Sequence, residues 1–219
     1  MPEERVRSRV RRDAAAGSCR PRRLHGDRGS IIAEAALLTP FFVTLMFGML
    51  EFGGAFRDYL TVSNSATAAA RTAAIEGNTN DADWWILQAV YKNSLAMPKS
   101  QILEVEVFSA TSNPTATSPP SACTSANLCN DYTGANLQSY LGATVEPTTF
   151  SNTCVPGNGT PMSNWCPNLR KVDLQDGVDY VGVYVRVQHP WITGLFGSSV
   201  TMTQTRITQL EPQQLSVTG

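Results

Sequence analysis

Apolar residues fall into three successive patterns along the chain. The first is a continuous run over 31–50, broken only by Glu34. Positions 35–50 hold sixteen residues without a charge, and Glu51 closes the stretch. About twenty residues at 1.5 Å each cross a hydrocarbon core of ~30 Å, which predicts a transmembrane helix over 30–56. In the second pattern the spacing is helical but the stripe is narrow. Over 57–76, Ala66, Ala70, Ala73 and Gly77 recur at steps of four, three and four, and side chains this small let a sheet or a sister helix approach closely. The sequence "GNTND" then breaks the helix. Asn80 or Asp81 is a candidate cap for a second helix running to about Leu95, with Trp84, Leu87, Tyr91 and Leu95 on one face and Met97-Pro98 ending it.

The third pattern has period two. In "ILEVEVF", Leu103, Val105 and Val107 alternate with Glu104 and Glu106, which predicts a half-buried strand with one wet face. "YVGVYVRV" (180–187) and "VTMTQTRI" (200–207) follow, and the turn "GLFGSS" makes them an antiparallel pair. Between the first and second strands lies an insertion, 109–170. It opens with "SATSNPTATSPPS", too polar and proline-rich to pack, so crosslinks rather than burial are expected to order the insertion. The expected class is α+β: a long N-terminal transmembrane helix continuing into an outer helical segment (57–96), then a β-rich region (97–219). That outer part holds one more helix and an antiparallel sheet of about three strands.

Charge adds a direction. The formal net charge is -1, but residues 1–29 carry nine Arg against four acids, and the rest carries eight basic against fourteen acidic side chains. A basic head immediately before an apolar run is the cytoplasmic flank of a membrane segment, which places everything beyond the run outside. No aromatic-plus-basic patch follows it, so nucleic acid is not an expected partner. A secretory signal is disfavoured because no small-x-small cleavage site stands at the end of the run.

The five cysteines agree with export. Cys19 lies in the head, leaving Cys123, Cys129, Cys154 and Cys166 outside, an even number available for two disulfides. Four cysteines allow three pairings. Neighbour pairing, 123 with 129 and 154 with 166, closes two short polar loops, but the sequence does not choose. A zinc site is disfavoured, since no C-x-x-C spacing occurs and the outer part holds one histidine, His189. No nucleophile elbow, zincin or phosphate-loop motif is present, and no cofactor is implied. Asp173, Asp176 and Asp179 read as loop solvation. An enzyme is not expected; a hydrolase would have to depend on His189 alone. A different class of function stays open, an anchored binding module for cell-surface carbohydrate or protein, with Trp84, Trp85, Trp165 and Trp191 as candidate contacts.

Glu34 is the anomaly in the apolar run. A carboxylate in a membrane helix is costly, ~2.5–3.5 kcal/mol at mid-bilayer and less near the edge, and is usually retained for a partner. Three groups of residues give it a context: "RG|SIIAE" after a basic leader; "GSIIAEAALLTPFFVTLMFGMLEFGGAF", with Glu34, Pro40 and Glu51-Phe52-Gly53; and "ATAAARTAAIEG". Together, over 28–77, they resemble the TadE-like family, pseudopilin-type components of tight-adherence (Flp, type IVb) pilus systems. The resemblance implies cleavage of the leader between Gly29 and Ser30 by a prepilin peptidase. It also implies assembly roles for Glu34, Pro40, Glu51, Phe52 and Gly53, and other pilin-like subunits, pilus-assembly membrane proteins and the lipid bilayer as partners. Cleavage there makes Glu34 the fifth residue of the new chain, where it can neutralise an α-amino group, its own or a neighbour's. Pro40 removes a helical hydrogen bond and loosens the helix locally, as a filament-packing device or as an ordinary membrane-helix proline. Glu51 is expected at the outer water interface.

Overall fold

The computed structural model describes residues 28–110, 119–175 and 177–212. Most of the basic leader (1–27), the middle of the Ser/Pro-rich stretch (111–118) and Asp176 lie outside these. The chain divides into two units, Met1–Thr44 and Leu45–Gly219. The first helix, α1, is Arg28–Glu76, and Gly29–Glu76 is long and apolar enough to be a candidate membrane span.

The first unit is the start of this helix. Among the described residues of this unit its side chains find no cover: Ile31, Ile32, Leu37, Leu38, Phe41 and Phe42 are all more than half exposed. Helix persists through Pro40, which has no N–H to give the Ala36 carbonyl. Nearby hydroxyls bond back onto the turn, Thr39 to the Ala35 carbonyl at 2.6 Å and Thr44 to that of Pro40 at 2.8 Å.

The second unit is a four-stranded antiparallel sheet covered by helices. Its elements after α1 are α2 (Ala82–Asn93), β1 (Ile102–Ala110), β2 (Cys129–Thr133), α3 (Gly134–Tyr140), the single turn α4 (Thr148–Ser151), β3 (Tyr180–Pro190) and β4 (Ser199–Gln209). Strand order is β2-β1-β3-β4. Val105 pairs with Val185 and Val107 with Val183, and Val181 and Val187 share that face; all six are buried with Val62, Ala66, Ala69, Ala70 and Ala73 of α1. The small-residue stripe therefore packs into the monomer's core. It ends at Gly77, whose left-handed backbone (φ 55°) lets its N–H cap the Ala73 carbonyl at 3.2 Å.

Several expectations are corrected. The sheet has four strands rather than about three, and the outer part has more than one further helix. β2 and α3 both arise inside the insertion. "CNDYT" has little strand signal of its own, and pairing with β1 creates the strand. The insertion is ordered by burial as well as by crosslinks, since Leu137, Leu141, Phe150, Met162 and Trp165 all join the core. At the start of β1 the register slips between Ile102 and Glu104, so Ile102 takes the core position expected of Leu103. One extra residue reverses the inward parity. Leu95 falls beyond α2 and is 67% exposed, whereas Trp84 and Leu87 are buried as the spacing implied. Asp81 precedes α2 without a side-chain cap; its carboxylate accepts from Trp85 Nε1 at 2.7 Å. Cys123 and Cys129 stand at disulfide distance (Cα–Cα 4.9 Å), as do Cys154 and Cys166 (5.5 Å), which is the neighbour pairing.

A buried polar knot ties the insertion to α2. Asp83, fully buried, accepts from Tyr132 Oη (2.6 Å) and Asn130 Nδ2 (2.7 Å) of β2 and pairs with Arg170. The Arg170 guanidinium also lies 4.3 Å over the Trp165 ring. Asn130 holds the Trp165 backbone on both sides, through its N–H and its carbonyl. Removing one member of a buried ion pair strands the other, so Asp83→Ala should cost about 3–5 kcal/mol. Tyr132→Phe, which deletes one donor, should cost about 1 kcal/mol. Denaturant unfolding of the detergent-solubilised protein measures both; equal losses would contradict the central place of Asp83.

Candidate functional site

Within the second unit, the buried residues of α1 form one continuous face. Glu51, Ala55, Asp58, Val62, Ala66, Ala69 and Ala73 succeed one another at steps of four, three, four, four, three and four, all 8% exposed or less. The alanine stripe seen in the sequence is the distal half of this face, and its proximal half contains two carboxylates. Glu51, expected at the water interface, is 1% exposed. Its carboxylate accepts from the backbone N–H of Ile192 (3.0 Å), the N–H of Thr193, and the Thr193 hydroxyl (2.7 Å). All three donors lie in the β3–β4 hairpin loop. Two turns on, Asp58 Oδ2 stands 2.7 Å from Nδ1 of His189, near the end of β3. A carboxylate accepts, so Nδ1 carries the hydrogen.

Further along α1 the polarity reverses. Arg206 of β4 donates to the Ser63 (2.9 Å) and Thr67 (3.2 Å) hydroxyls, and Glu211 N–H donates to the Ala74 carbonyl at 2.9 Å. The last two strands are thus fastened to the helix at four levels. Phe52, on an adjacent face, adds an aromatic cluster with Phe196 (ring centroids 4.9 Å apart) and Trp191 (5.9 Å). The Glu51-Phe52 pair grips the hairpin loop with one residue and stacks on it with the next. Gly53 has open space where a Cβ would stand, so packing among the described residues does not require glycine there.

At the other end of the helix, Gly29 also meets nothing, and Ser30 Oγ donates to Glu34 Oε1 at 3.2 Å, one helical turn apart. Glu34 is exposed and is not brought together with Glu51.

Chemistry elsewhere is sparse. Among the described residues the Nε2 atom of His189 has no hydrogen-bond partner, and the observed link of this histidine is through Nδ1 to Asp58. The four tryptophans do not form one platform. Trp84 packs on Phe150 in the core, Trp165 lies beneath Arg170, and Trp191 belongs to the hairpin cluster. Trp85 and Trp84 line a shallow cleft of about 350 Å³ with Tyr91 and Lys92. Among the described residues, one group has metal-ligand spacing, Glu106 with Cys123 and Cys129, and the two sulfurs there are taken by each other.

Glu106 lies on the sheet face opposite the core. Expected to be wet, it is 5% exposed and directly opposite Asp131 in the register. Burial, with the Asp131 and Glu104 carboxylates, pushes its pKa up to about 7. Asp131 is also raised, by burial and by Glu104, partly offset by Arg186.

Residues 29–71 match the model of a family described as TadE-like protein. The matched segment contains Glu34, Pro40, Glu51, Phe52 and Gly53, together with Asp58, Ser63 and Thr67 of the helix face. No curated protein and no solved structure matches the chain. The second unit is a small α+β domain whose sheet packs on the later turns of a long helix, and that helix contains the segment matched by the TadE-like model. Asp58, His189, Thr193 and Arg206 were not singled out as this clamp from sequence. A signal for Asp58 existed, since it continues the alanine face at helical spacing.

Glu51→Ala leaves two hairpin amides without an acceptor, and their hydrogen exchange should accelerate roughly tenfold while β1 amides are unchanged. Unchanged exchange at Ile192 and Thr193 would show that the grip is unimportant. For Glu106, the unfolded carboxyl titrates near 4.5 and the folded one near 7. Between these values the folded state keeps a proton that the unfolded state has lost, so stability falls as pH rises through the window. Glu106→Gln should remove that loss and gain about 1–2 kcal/mol at pH 8, after allowance for solvent screening, with little change at pH 4. Denaturation midpoints at the two pH values test the sign.

Proposed function

We propose that the protein is a pseudopilin-like structural subunit of a tight-adherence (Flp, type IVb) pilus system. The observation that carries this reading is the TadE-like match over 29–71, which begins at the glycine of the leader junction and runs through the anchor into the helix face that holds the head. In this reading the basic leader stays in the cytoplasm, a prepilin peptidase cuts between Gly29 and Ser30, and the helix anchors an extracytoplasmic head. The subunit then takes part in pilus biogenesis, adhesion or secretion with other pilin-like subunits and pilus-assembly membrane proteins.

Four features support it. The apolar surface from Ile31 to Leu50 is uncovered by the described residues, as lipid or neighbouring helices require. Ser30 and Glu34 sit one turn apart at the helix start, so a new α-amino group at Ser30 is placed near a carboxylate that otherwise carries an uncompensated charge into lipid. The open space at Gly29 and Gly53 leaves close approach to a peptidase or a sister helix unobstructed. Pro40, lacking a hydrogen bond within an exposed helix, is a point where packing can bend the anchor.

Intact-mass or N-terminal sequencing of membrane-extracted protein should find a chain beginning at Ser30; retention of 1–29 contradicts processing. Glu34→Ala should insert normally yet be lost from complexes with pilus-assembly proteins, and full recovery in those complexes would remove its assigned role.

A further inference from the structure

The loop joining β3 to β4, "PWITGLFGSS" over 190–199, carries no charge. Its apolar side chains turn outward: Ile192 is 84% exposed, Leu195 55% and Phe196 47%. Among the described residues, Phe196 meets Phe52 and Trp191 on one side, and the three side chains stay open on the other. Left in water, this patch together with Phe52 and Phe56 would be a contiguous apolar surface of the kind monomers avoid.

Its location says what covers it. Glu51 and Phe52 hold the loop against α1 immediately after the exposed apolar residues Leu45, Met46, Met49 and Leu50. After Glu34, Arg57 is the first charged residue on the helix to stand exposed, its side chain at 62%, because the intervening Glu51 is buried. The loop is therefore level with the last uncharged turns of the candidate span, on its head side. Its aromatic content, Trp191 and Phe196 beside Phe52, suits a bilayer interface, where Trp rings concentrate.

Backbone satisfaction points the same way. A loop can enter a poorly hydrated zone only if its N–H groups have partners. Trp191 N–H donates to the Ser198 carbonyl, and Gly197 N–H to that of Gly194. Leu195 N–H reaches the Thr193 hydroxyl, and Ile192 and Thr193 are capped by Glu51. Five backbone donors of a ten-residue loop are met without water.

From this we infer that the β3–β4 loop is a second membrane contact. Ile192, Leu195 and Phe196 insert into the interfacial region of the leaflet on the head side, and Glu51 satisfies the backbone that goes with them. The inference rests on reading α1 as a membrane span, and the test separates the two. In the full chain with Cys19→Ser, an environment-sensitive fluorophore is placed on Leu195→Cys. Parallel proteins carry it on Leu38→Cys, within the span, and on Leu174→Cys, exposed in the loop before β3 at the far end of that strand. All three are reconstituted into phosphatidylcholine–phosphatidylglycerol vesicles with and without lipids bearing a nitroxide near the headgroup.

The Leu195 probe should shift to the blue and lose intensity to the nitroxide lipid, while the Leu174 probe keeps a water-like spectrum. If the Leu38 probe is quenched and the Leu195 probe behaves like Leu174, the loop faces water or another protein and the inference is overturned with the span intact. If Leu38 is not quenched either, the membrane reading falls, and this inference with it. Replacing Ile192, Leu195 and Phe196 by Ser, with the fluorophore on a Ser198→Cys variant in both backgrounds, gives an independent check, since Ser198 is exposed and its side chain takes no part in the Glu51 grip. The blue shift should vanish in the triple variant, and its persistence would also overturn the inference.

Discussion

Two carboxylates on the buried face of a helix otherwise lined with small apolar residues set the terms for this structure. Glu51 and Asp58 cannot be buried alone, because desolvating an unpartnered charge costs more than the surrounding alanines recover. The β3–β4 hairpin supplies what they need: two amides and a hydroxyl for Glu51, an imidazole N–H for Asp58. That requirement gives the sheet a definite position on the helix. A purely apolar face would let the sheet slide by a turn, since one alanine resembles the next. Directional hydrogen bonds at one end and Arg206 at the other remove that freedom.

The two faces of the sheet have different chemistry for the same reason. The face toward α1 and α2 is dry and valine-rich, closed at its β2 edge by the Asp83–Arg170–Tyr132–Asn130 knot. On the opposite face Phe108 lies over Gly182, where any Cβ would collide with the ring, and Glu104, Glu106 and Asp131 crowd together with Arg186 as their cation. Crosslinks hold the segments on both sides. Cys123–Cys129 sits beside the acidic group and Cys154–Cys166 next to the buried Trp165, so the insertion is built into both surfaces of the sheet.

Within the second unit, α1 from Glu51 onward packs directly against the sheet. The helix that leaves the apolar zone is the same helix that forms one wall of the core, and the clamp begins at Glu51, directly after the uncharged run. The Glu51-Phe52-Gly53 motif, read in sequence as an assembly feature, has in this chain an internal use for its first two residues. Its glycine faces open space.

Local patterns were enough to reveal the long apolar helix, the alanine stripe, the valine strand β3 and the class of fold. Each is a periodicity within a few turns or a few pleats, and such repeats report which side of an element is dry. Glu51 and Asp58 were harder to read, because a charge on a helix face ordinarily signals water, and the partners that reverse this lie more than 130 residues away. β2 was hidden because "CNDYT" gains its conformation from β1 and from the buried knot rather than from its own residues. The bulge that exchanges Leu103 for Ile102 depends on registry with β3. Thus the sequence by itself determined which stretches are apolar, how they repeat, and the TadE-like character of the first helix. Only the tertiary structure decided which polar groups are buried and with what. Hydrophobic burial is a property of each residue's own side chain, whereas satisfying a buried charge depends on a second group that the fold must bring to it.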